Sequence, residues 1–429
     1  MHIHPNRLAL LVAVALAMPV AAATEAASPD RLALPATAPL DLPAALRLAL
    51  EQPALRAAVH EVAASQAIVG QAGSLPNPTL EYLREGQQAG TRTTTVQINQ
   101  PIELGGKRRA RIALAEGAAT LAGSELAALR QQIRADVIAA YYAVLVARER
   151  QALAQASIEL ARQGVEIAAK RVAAGKISPI DETKARLAAV DAATELNAAD
   201  AELAVARTEF GALVGRPPEA VVLVPGDAER LPDLKPLATM TARAQAADAA
   251  PVRRARSELA ARQAQLGVER AARIPDVTLS VGAQREDEVG RRQAVIGLSV
   301  PLPLFDRNQG NLTAALRRTD KARDELAAAE TSAAAALTAA HARYAQARSE
   351  AALLRQDVIP HAQSAYELTL RGFEYGKFAF LDVLDARRTW LQAQARRWSA
   401  TLAAWRAYAD IERLAGSAGA TEHDLREQP

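Results

Sequence analysis

The sequence predicts a mainly α-helical fold with a small β part. Two long coiled-coil helical hairpins, each joined to a β-hairpin, form the two halves of a duplicated chain. Three observations predict this. The first is recurrence: Pro76 and Pro275, Pro101 and Pro301, Gly175 and Gly376, and Gly215 and Gly416 lie 199 to 201 residues apart. That period is too long for a solenoid unit of roughly 20–50 residues, so each half is one architectural unit. The second is a pair of alanine-rich stretches with helical apolar spacing. The third is a set of four short alternating segments at equivalent places in the two halves.

At the N-terminus one basic residue, Arg7, precedes an apolar run from Leu8 to Ala17, and Ala21-Ala-Ala23 follows Pro19. The run is too short to span a bilayer and reads as a secretory signal peptide over residues 1–23. No later stretch approaches about 20 continuous apolar residues, so no transmembrane helix is expected. The sequence contains 0 cysteines, which excludes disulfides and a lipid-bearing cysteine in an exported chain. The first repeat is read as 24–215, a linker as 216–237, the second repeat as 238–416 and a tail as 417–429.

Within each repeat the dominant element is a rod. From Arg108 to Ala174 there is no proline, and Leu129, Ile133, Val137, Ala140 and Val144 recur at helical spacing. From Asn311 to Tyr375 the stripe Leu337, Ala340, Tyr344, Ala347, Ala351, Leu354, Val358 has a heptad rhythm, which predicts coiled-coil packing. About 65 residues rise roughly 100 Å. Pro360 is expected to kink or break the second rod. Helices of about 35 residues flank the rods, over 42–74, 180–213, 238–273 and 380–414. Two of these stacked end to end match one rod. Gly175 and Gly376 sit where each rod turns into the returning helix, the place for a residue with positive φ.

Between the first flanking helix and the rod lies a β-hairpin, at 79–100 in the first repeat and 276–301 in the second. Leu80, Tyr82, Val96 and Ile98, and then Val277, Leu279, Val281, Ile296, Leu298 and Val300, alternate with mostly polar residues. Each strand is read as 9–11 residues, enough to cross a bilayer when tilted. Four strands cannot close a barrel, and open edges are forbidden in lipid because each unpaired backbone group costs several kcal/mol. Three copies supply twelve strands, which predicts a homotrimeric barrel in outer-membrane lipid, lined by the polar face.

At this point the residues resemble a known family. Pro101-Ile-Glu-Leu-Gly-Gly-Lys-Arg108, Pro301-Leu-Pro-Leu-Phe-Asp-Arg-Asn-Gln-Gly310 and Tyr375-Gly-Lys-Phe-Ala-Phe-Leu-Asp-Val-Leu-Asp385 are similar to motifs of the TolC outer-membrane efflux family. The Leu-Gly-Gly-Lys-Arg and Leu-Phe-Asp-Arg-Asn forms resemble its heavy-metal, CzcC-like branch. The resemblance implies a homotrimeric exit duct in the outer membrane of a Gram-negative bacterium. It also implies docking to a periplasmic adaptor protein and an inner-membrane resistance-nodulation-division pump, with heavy-metal cations as cargo. Ducts for antibiotics, other organic compounds or type I secretion remain alternatives, as does a soluble periplasmic coiled-coil adaptor.

Several residues are candidates for function. Asp382 and Asp385, with Asp181 as first-repeat counterpart, either favour helix N-termini through the macrodipole or ring the periplasmic mouth as a cation-selective gate. The family resemblance implies the latter. Lys184 stands where the second repeat has Asp385, so the two tips are unequal. Gly175-Lys176 and Gly376-Lys377 are helix turns that the resemblance marks as adaptor-docking tips. Phe373 and Phe378 occupy positions where family members often carry the tyrosine of a tyrosine–arginine lock, which puts that lock in doubt here. Lys107, Arg108, Arg109 and Arg111 read as a solvated basic helix start, with headgroup contact as the alternative. Trp390, Trp398 and Trp405 read as core.

The exclusions are also informative. Lys+Arg total 51 against 48 Asp+Glu, a formal net charge of +3, with no concentrated basic face, so nucleic acid is not an expected partner. His60, His341, His361 and His423 lack a partner histidine at helical spacing, so no tight metal site is expected. No cofactor site, nucleophile elbow, phosphate loop or metalloprotease helix appears, and the chain is not expected to be an enzyme.

Overall fold

The computed structural model describes residues 39–86, 91–224, 228–243 and 249–415. The expected signal peptide, the tail 417–429, Gly416 and the turn at 87–90 lie outside the described residues. The helices are α1 Leu42–Leu50, α2 Pro53–Ala72, α3 Lys107–Ala173, α4 Pro179–Val214, α5 Leu237–Arg243, α6 Ala250–Ala271, α7 Gln309–Leu353, α8 Ile359–Glu374 and α9 Phe380–Ala415. The strands are β1 Thr79–Glu85, β2 Thr93–Ile102, β3 Val277–Glu286 and β4 Arg291–Ser299.

Two of the four flanking helices are broken. The expected 42–74 helix is split at Pro53, which opens α2, and the 238–273 helix gives way to α5 and to α6, whose first turn holds Pro251. Proline is tolerated in a first turn because its missing N–H has no partner there in any case. The returning helices α4 and α9 run 36 residues each without a break. α3 runs 67 residues, about 100 Å at 1.5 Å per residue. It is apolar and long enough to pass for a membrane span by composition, yet it packs along α2, α4, α6 and α9.

Pro360 does not break the second rod. The chain passes through a π-helical turn, Leu354–Val358, straight into α8. Widening one turn accommodates a ring that cannot donate the usual i→i−4 bond. The heptad stripe stops here: Leu337, Ala340, Tyr344, Ala347, Ala351 and Leu354 are buried, but Val358 is 43% exposed. The extra residue in the turn rotates Val358 off the packed face.

The main core is where the two repeats cross. Tyr142 stacks on Trp405 with ring centroids 3.4 Å apart and 8° between planes, and Tyr141 meets Phe210 edge-on. Trp405 Nε1–H donates to the Ala228 carbonyl at 2.8 Å. Leu40, Ile138, Met240, Val252, Leu337 and Ile411 join the same cluster, so α3, α5, α6, α7 and α9 share one core. Leu40 also pairs as a short parallel bridge with Leu223. Burial pushes the Tyr408 hydroxyl far above its ordinary pKa, reinforced by the Glu412 carboxylate to which it donates.

The four strands form one antiparallel sheet in the order β1-β2-β3-β4, with the two repeats joined through β2 and β3. β1 has seven residues rather than 9–11. Pro78 precedes it and offers no N–H to a ladder, and Gly86, at φ 87°, ends it.

Left-handed residues start both rods: Gly106 at φ 74° and Asn308 at φ 57°. Asparagine tolerates this conformation when its side chain bonds locally. The Asn308 amide donates to both the backbone carbonyl and the carboxylate of Glu269, at 3.0 and 2.8 Å.

Three members of the basic cluster below the sheet make ties to the chain around them, while Arg109 is exposed at the helix start as expected. Lys107 is 2.7 Å from Asp276. Arg108 Nε–H donates to the Gly73 carbonyl at 2.6 Å. Arg111 pairs with both oxygens of Glu103 and donates to the Ser74 carbonyl at 3.2 Å. These bonds lock the angle at which the rod leaves the sheet.

Truncation at the crossing should be costly. Trp405→Ala is expected to destabilise by about 3–5 kcal/mol through lost volume. Trp405→Phe keeps most of the stack but leaves the Ala228 carbonyl unpaired, for about 1–3 kcal/mol. Thermal unfolding in detergent checks that order.

Candidate functional site

The sheet is mostly polar on one face and apolar on the other, and nothing in the chain covers the apolar face among the described residues. Register places Leu80 beside Ile98, Ile98 beside Val281 and Val281 beside Ile296, with Tyr82, Val96, Leu279 and Leu298 in neighbouring rows. Leu80, Ile296 and Leu298 are each at least 70% exposed. A water-soluble sheet hides such a face; this one presents it continuously across four strands. The opposite face carries Thr79, Glu81, Thr95, Gln97, Asn99, Ser280, Gln284 and Gln293 by the same register. Gln97 and Asn99 both donate to Glu81 Oε2, at 2.7 and 2.9 Å, and Gln293 donates to Gln284 at 2.9 Å. β1 and β4 each have only one neighbour, so both edges of the sheet are open among the described residues.

At the other end, both rods close with the same motif. The Gly175 and Lys176 amides donate to the Val172 and Arg171 carbonyls, each at 2.9 Å, and those of Gly376 and Lys377 donate to Phe373 and Gly372 at 3.0 and 2.8 Å. Gly175 and Gly376 have φ 67° and 74°, the left-handed residue this helix ending requires. All four tip residues, Gly175, Lys176, Gly376 and Lys377, are exposed.

The returning helices then start differently. Ser178 caps α4, its Oγ accepting from the Ile180 amide at 3.3 Å. The equivalent Ala379 has no acceptor, and Asp382 reaches back to take the Ala379 amide at 2.8 Å. Asp382 is thus a helix-capping carboxylate that is also exposed. Asp385 lies one turn further along α9 and is exposed, whereas Asp181 is half-buried in the first turn of α4.

Asp385 borders an open groove of about 660 Å³ between α3, α4 and the start of α9, shared with Lys184, Asp191, Glu195, Arg387 and Arg388. The structure therefore brings the two unequal counterparts, Lys184 and Asp385, to one groove. Among the described residues no cluster of three or more metal-ligating side chains occurs.

Sequence reasoning missed the contacts that hold the tips. The Arg171 guanidinium lies 3.8 Å from the centroid of the buried Phe373 ring, joining the end of α3 to the end of α8. A cation over a ring face is attractive without any hydroxyl, so Phe373 keeps an arginine contact at a position where the phenylalanine puts a tyrosine–arginine lock in doubt. Arg387 donates to the Tyr366 hydroxyl at 3.2 Å and to the Ala156 carbonyl at 3.3 Å. Phe378 folds onto Gly372, where its ring leaves no room for a Cβ. The Arg387–Ala156 contact joins residues 231 positions apart and carries no local signal.

The chain thus combines an uncovered apolar sheet face, a polar opposite face and paired rods of about 100 Å. The protein-family model described as outer membrane efflux protein matches residues 46–216 and 242–417. The chain belongs to the outer membrane efflux protein family. Among curated relatives of this efflux protein, the cobalt-zinc-cadmium resistance protein CzcC of Cupriavidus metallidurans is 44% identical, over 89% of this chain and 91% of that one. The nickel and cobalt resistance protein CnrC of the same organism is 31% identical, over 73% and 71%. Among solved structures, the outer membrane protein VceC of Vibrio cholerae has a similar fold. Its TM-score is 0.71 at 21% identity, covering 86% of this chain and 95% of that one.

Gly372→Ala is expected to expel Phe378 and loosen the tip, read as faster hydrogen exchange over 372–379. Gly70→Ala, where nothing lies within 4 Å of the added methyl, should leave exchange unchanged.

Proposed function

We propose that this efflux protein is the outer-membrane exit duct of a three-part export system for heavy-metal cations. The observation that carries the reading is the inverted sheet: an apolar exposed face and two open edges, which only a lipid surround and further copies of the chain satisfy together. Three copies give twelve strands around a polar lumen, and the rods extend that wall into the periplasm. The identity to CzcC over most of both chains supports metal cations as cargo over organic compounds.

Passage through the duct is passive and uses no cofactor or catalytic group. The cargo moves without tight coordination, in keeping with a polar lining of amides, hydroxyls and scattered carboxylates. The tips Gly175-Lys176 and Gly376-Lys377 are the docking points for a periplasmic adaptor, and through it the duct meets an inner-membrane resistance-nodulation-division pump. In the trimer Asp382, Asp385 and Asp181 bring carboxylates to the periplasmic mouth, where like charges favour cations over anions. Asp382 has two roles in this reading, capping α9 and lining the mouth. The Arg171–Phe373 contact links the two hairpins of a copy at the same level and opposes their separation when the mouth opens.

Two experiments test this. A strain lacking the gene should become sensitive to one or a few of zinc, cobalt, cadmium and nickel, with its resistance to detergents and antibiotics unchanged; sensitivity to organic compounds alone contradicts metal export. In planar bilayers, Asp382→Asn with Asp385→Asn should reduce cation-over-anion selectivity severalfold. Asparagine keeps an acceptor for the Ala379 amide, so the helix cap survives the change. Unchanged selectivity removes the gate from the account.

A further inference from the structure

The register sorts charge by face at the end of the sheet remote from the rods. On the apolar face the last row is Arg84, Thr94, Arg285 and Arg292. At the same level on the polar face stand Glu85, Thr93, Glu286 and Arg291. Three arginines thus share the face of Leu80, Tyr82, Val96, Ile98, Val281 and Ile296, while both strand carboxylates at this level point the other way. Arg84, Arg285 and Arg292 are exposed. Arg285 Nε is 2.9 Å from Asp287 of the following turn, and its side chain remains 59% exposed.

An arginine on a lipid-facing strand is costly at mid-membrane and nearly free of cost at the interface, so this row marks a membrane boundary. From the Leu279–Leu298 row to the Arg285–Arg292 row is six residues, about 20 Å along the strands. That approaches the ~25 Å apolar band of a barrel of this kind. The row lies beside the hairpin turns, opposite the periplasmic rods, and so faces the outer leaflet.

We infer that Arg84, Arg285 and Arg292 bind the phosphate groups of the outer-leaflet glycolipid, lipopolysaccharide. Guanidinium groups match phosphate in a two-bond fork, and the adjoining apolar rows receive the acyl chains. A zwitterionic headgroup offers three like charges no net attraction. In a trimer the row becomes a belt around the barrel rim. This inference rests on the outer-membrane reading above.

The test is binding of bis-phosphorylated lipid A by the purified full-length protein in detergent, against dephosphorylated lipid A and phosphatidylethanolamine. The wild type should prefer the phosphorylated lipid. Arg84→Gln with Arg285→Gln and Arg292→Gln should weaken that binding by at least about tenfold, and the single Arg292→Gln by about fivefold. Arg291→Gln, on the polar face, should not weaken it. Equal affinity of wild type, triple and single Gln variants overturns the inference, as does an equal loss in Arg291→Gln or no preference for phosphate. Orientation is checked separately: the chain has 0 cysteines, so Val289→Cys reports alone to an impermeant maleimide on intact cells. Failure to label overturns the outer-membrane orientation; labelling without lipid preference overturns only the phosphate site.

Discussion

The structure depends on backbone hydrogen bonds that the chain cannot complete alone. Among the described residues the four-stranded sheet leaves the outer edges of β1 and β4 unpaired, and one of its two accessible faces is apolar. Water would satisfy the edges but not the face; lipid would satisfy the face but not the edges. Only closure with further copies meets both demands. The helical part follows from that closure. Rods that leave a barrel wall must continue as a wall, so their angle at the exit matters, and the Lys107–Asp276, Arg108–Gly73 and Arg111–Glu103 contacts fix it at the first helical turn.

The duplication is not perfectly symmetric, and the departures are informative. One rod is an unbroken α-helix, while the other contains a π turn before Pro360. One returning helix is capped by a serine and the other by an aspartate three residues in. Asp181 and Asp382 occupy the same step, but only Asp382 is used as the cap; in the first repeat Ser178 takes that role. The groove beside it pairs Lys184 against Asp385. Two nearly identical hairpins thus present different electrostatics at the periplasmic end, which a simple repeat could not do.

Much of the fold was legible because its signals are local or periodic. The heptad stripe from Leu337 to Leu354, the alternation around Leu80 and Ile296, and the tip glycines each report a backbone geometry directly. Pro53 and Pro251 are equally visible in the sequence, and each sits in the first turn of a new helix rather than inside a continuous one. Val358 fell outside the stripe because a π turn changes the angular step, which a fixed period cannot anticipate. At the candidate site, the positions of Asp382 and Asp385 were legible, but the bond from the Ala379 amide to Asp382 was not. The Arg171–Phe373 and Arg387–Ala156 contacts join residues about two hundred positions apart, and only the packing of α3 against the second repeat reveals them.

The central claim is that β1 of one copy pairs with β4 of the next until three copies close the ring. A set of cysteine pairs, one in β1 at Leu80 or Tyr82 and one in β4 at Ala294, Ile296 or Leu298, measures it in native membranes. Oxidation should yield covalent trimers through the best-matched pair, with dimers only as intermediates. Covalent dimers that never advance to trimers, or no cross-link from any pair, would contradict the account.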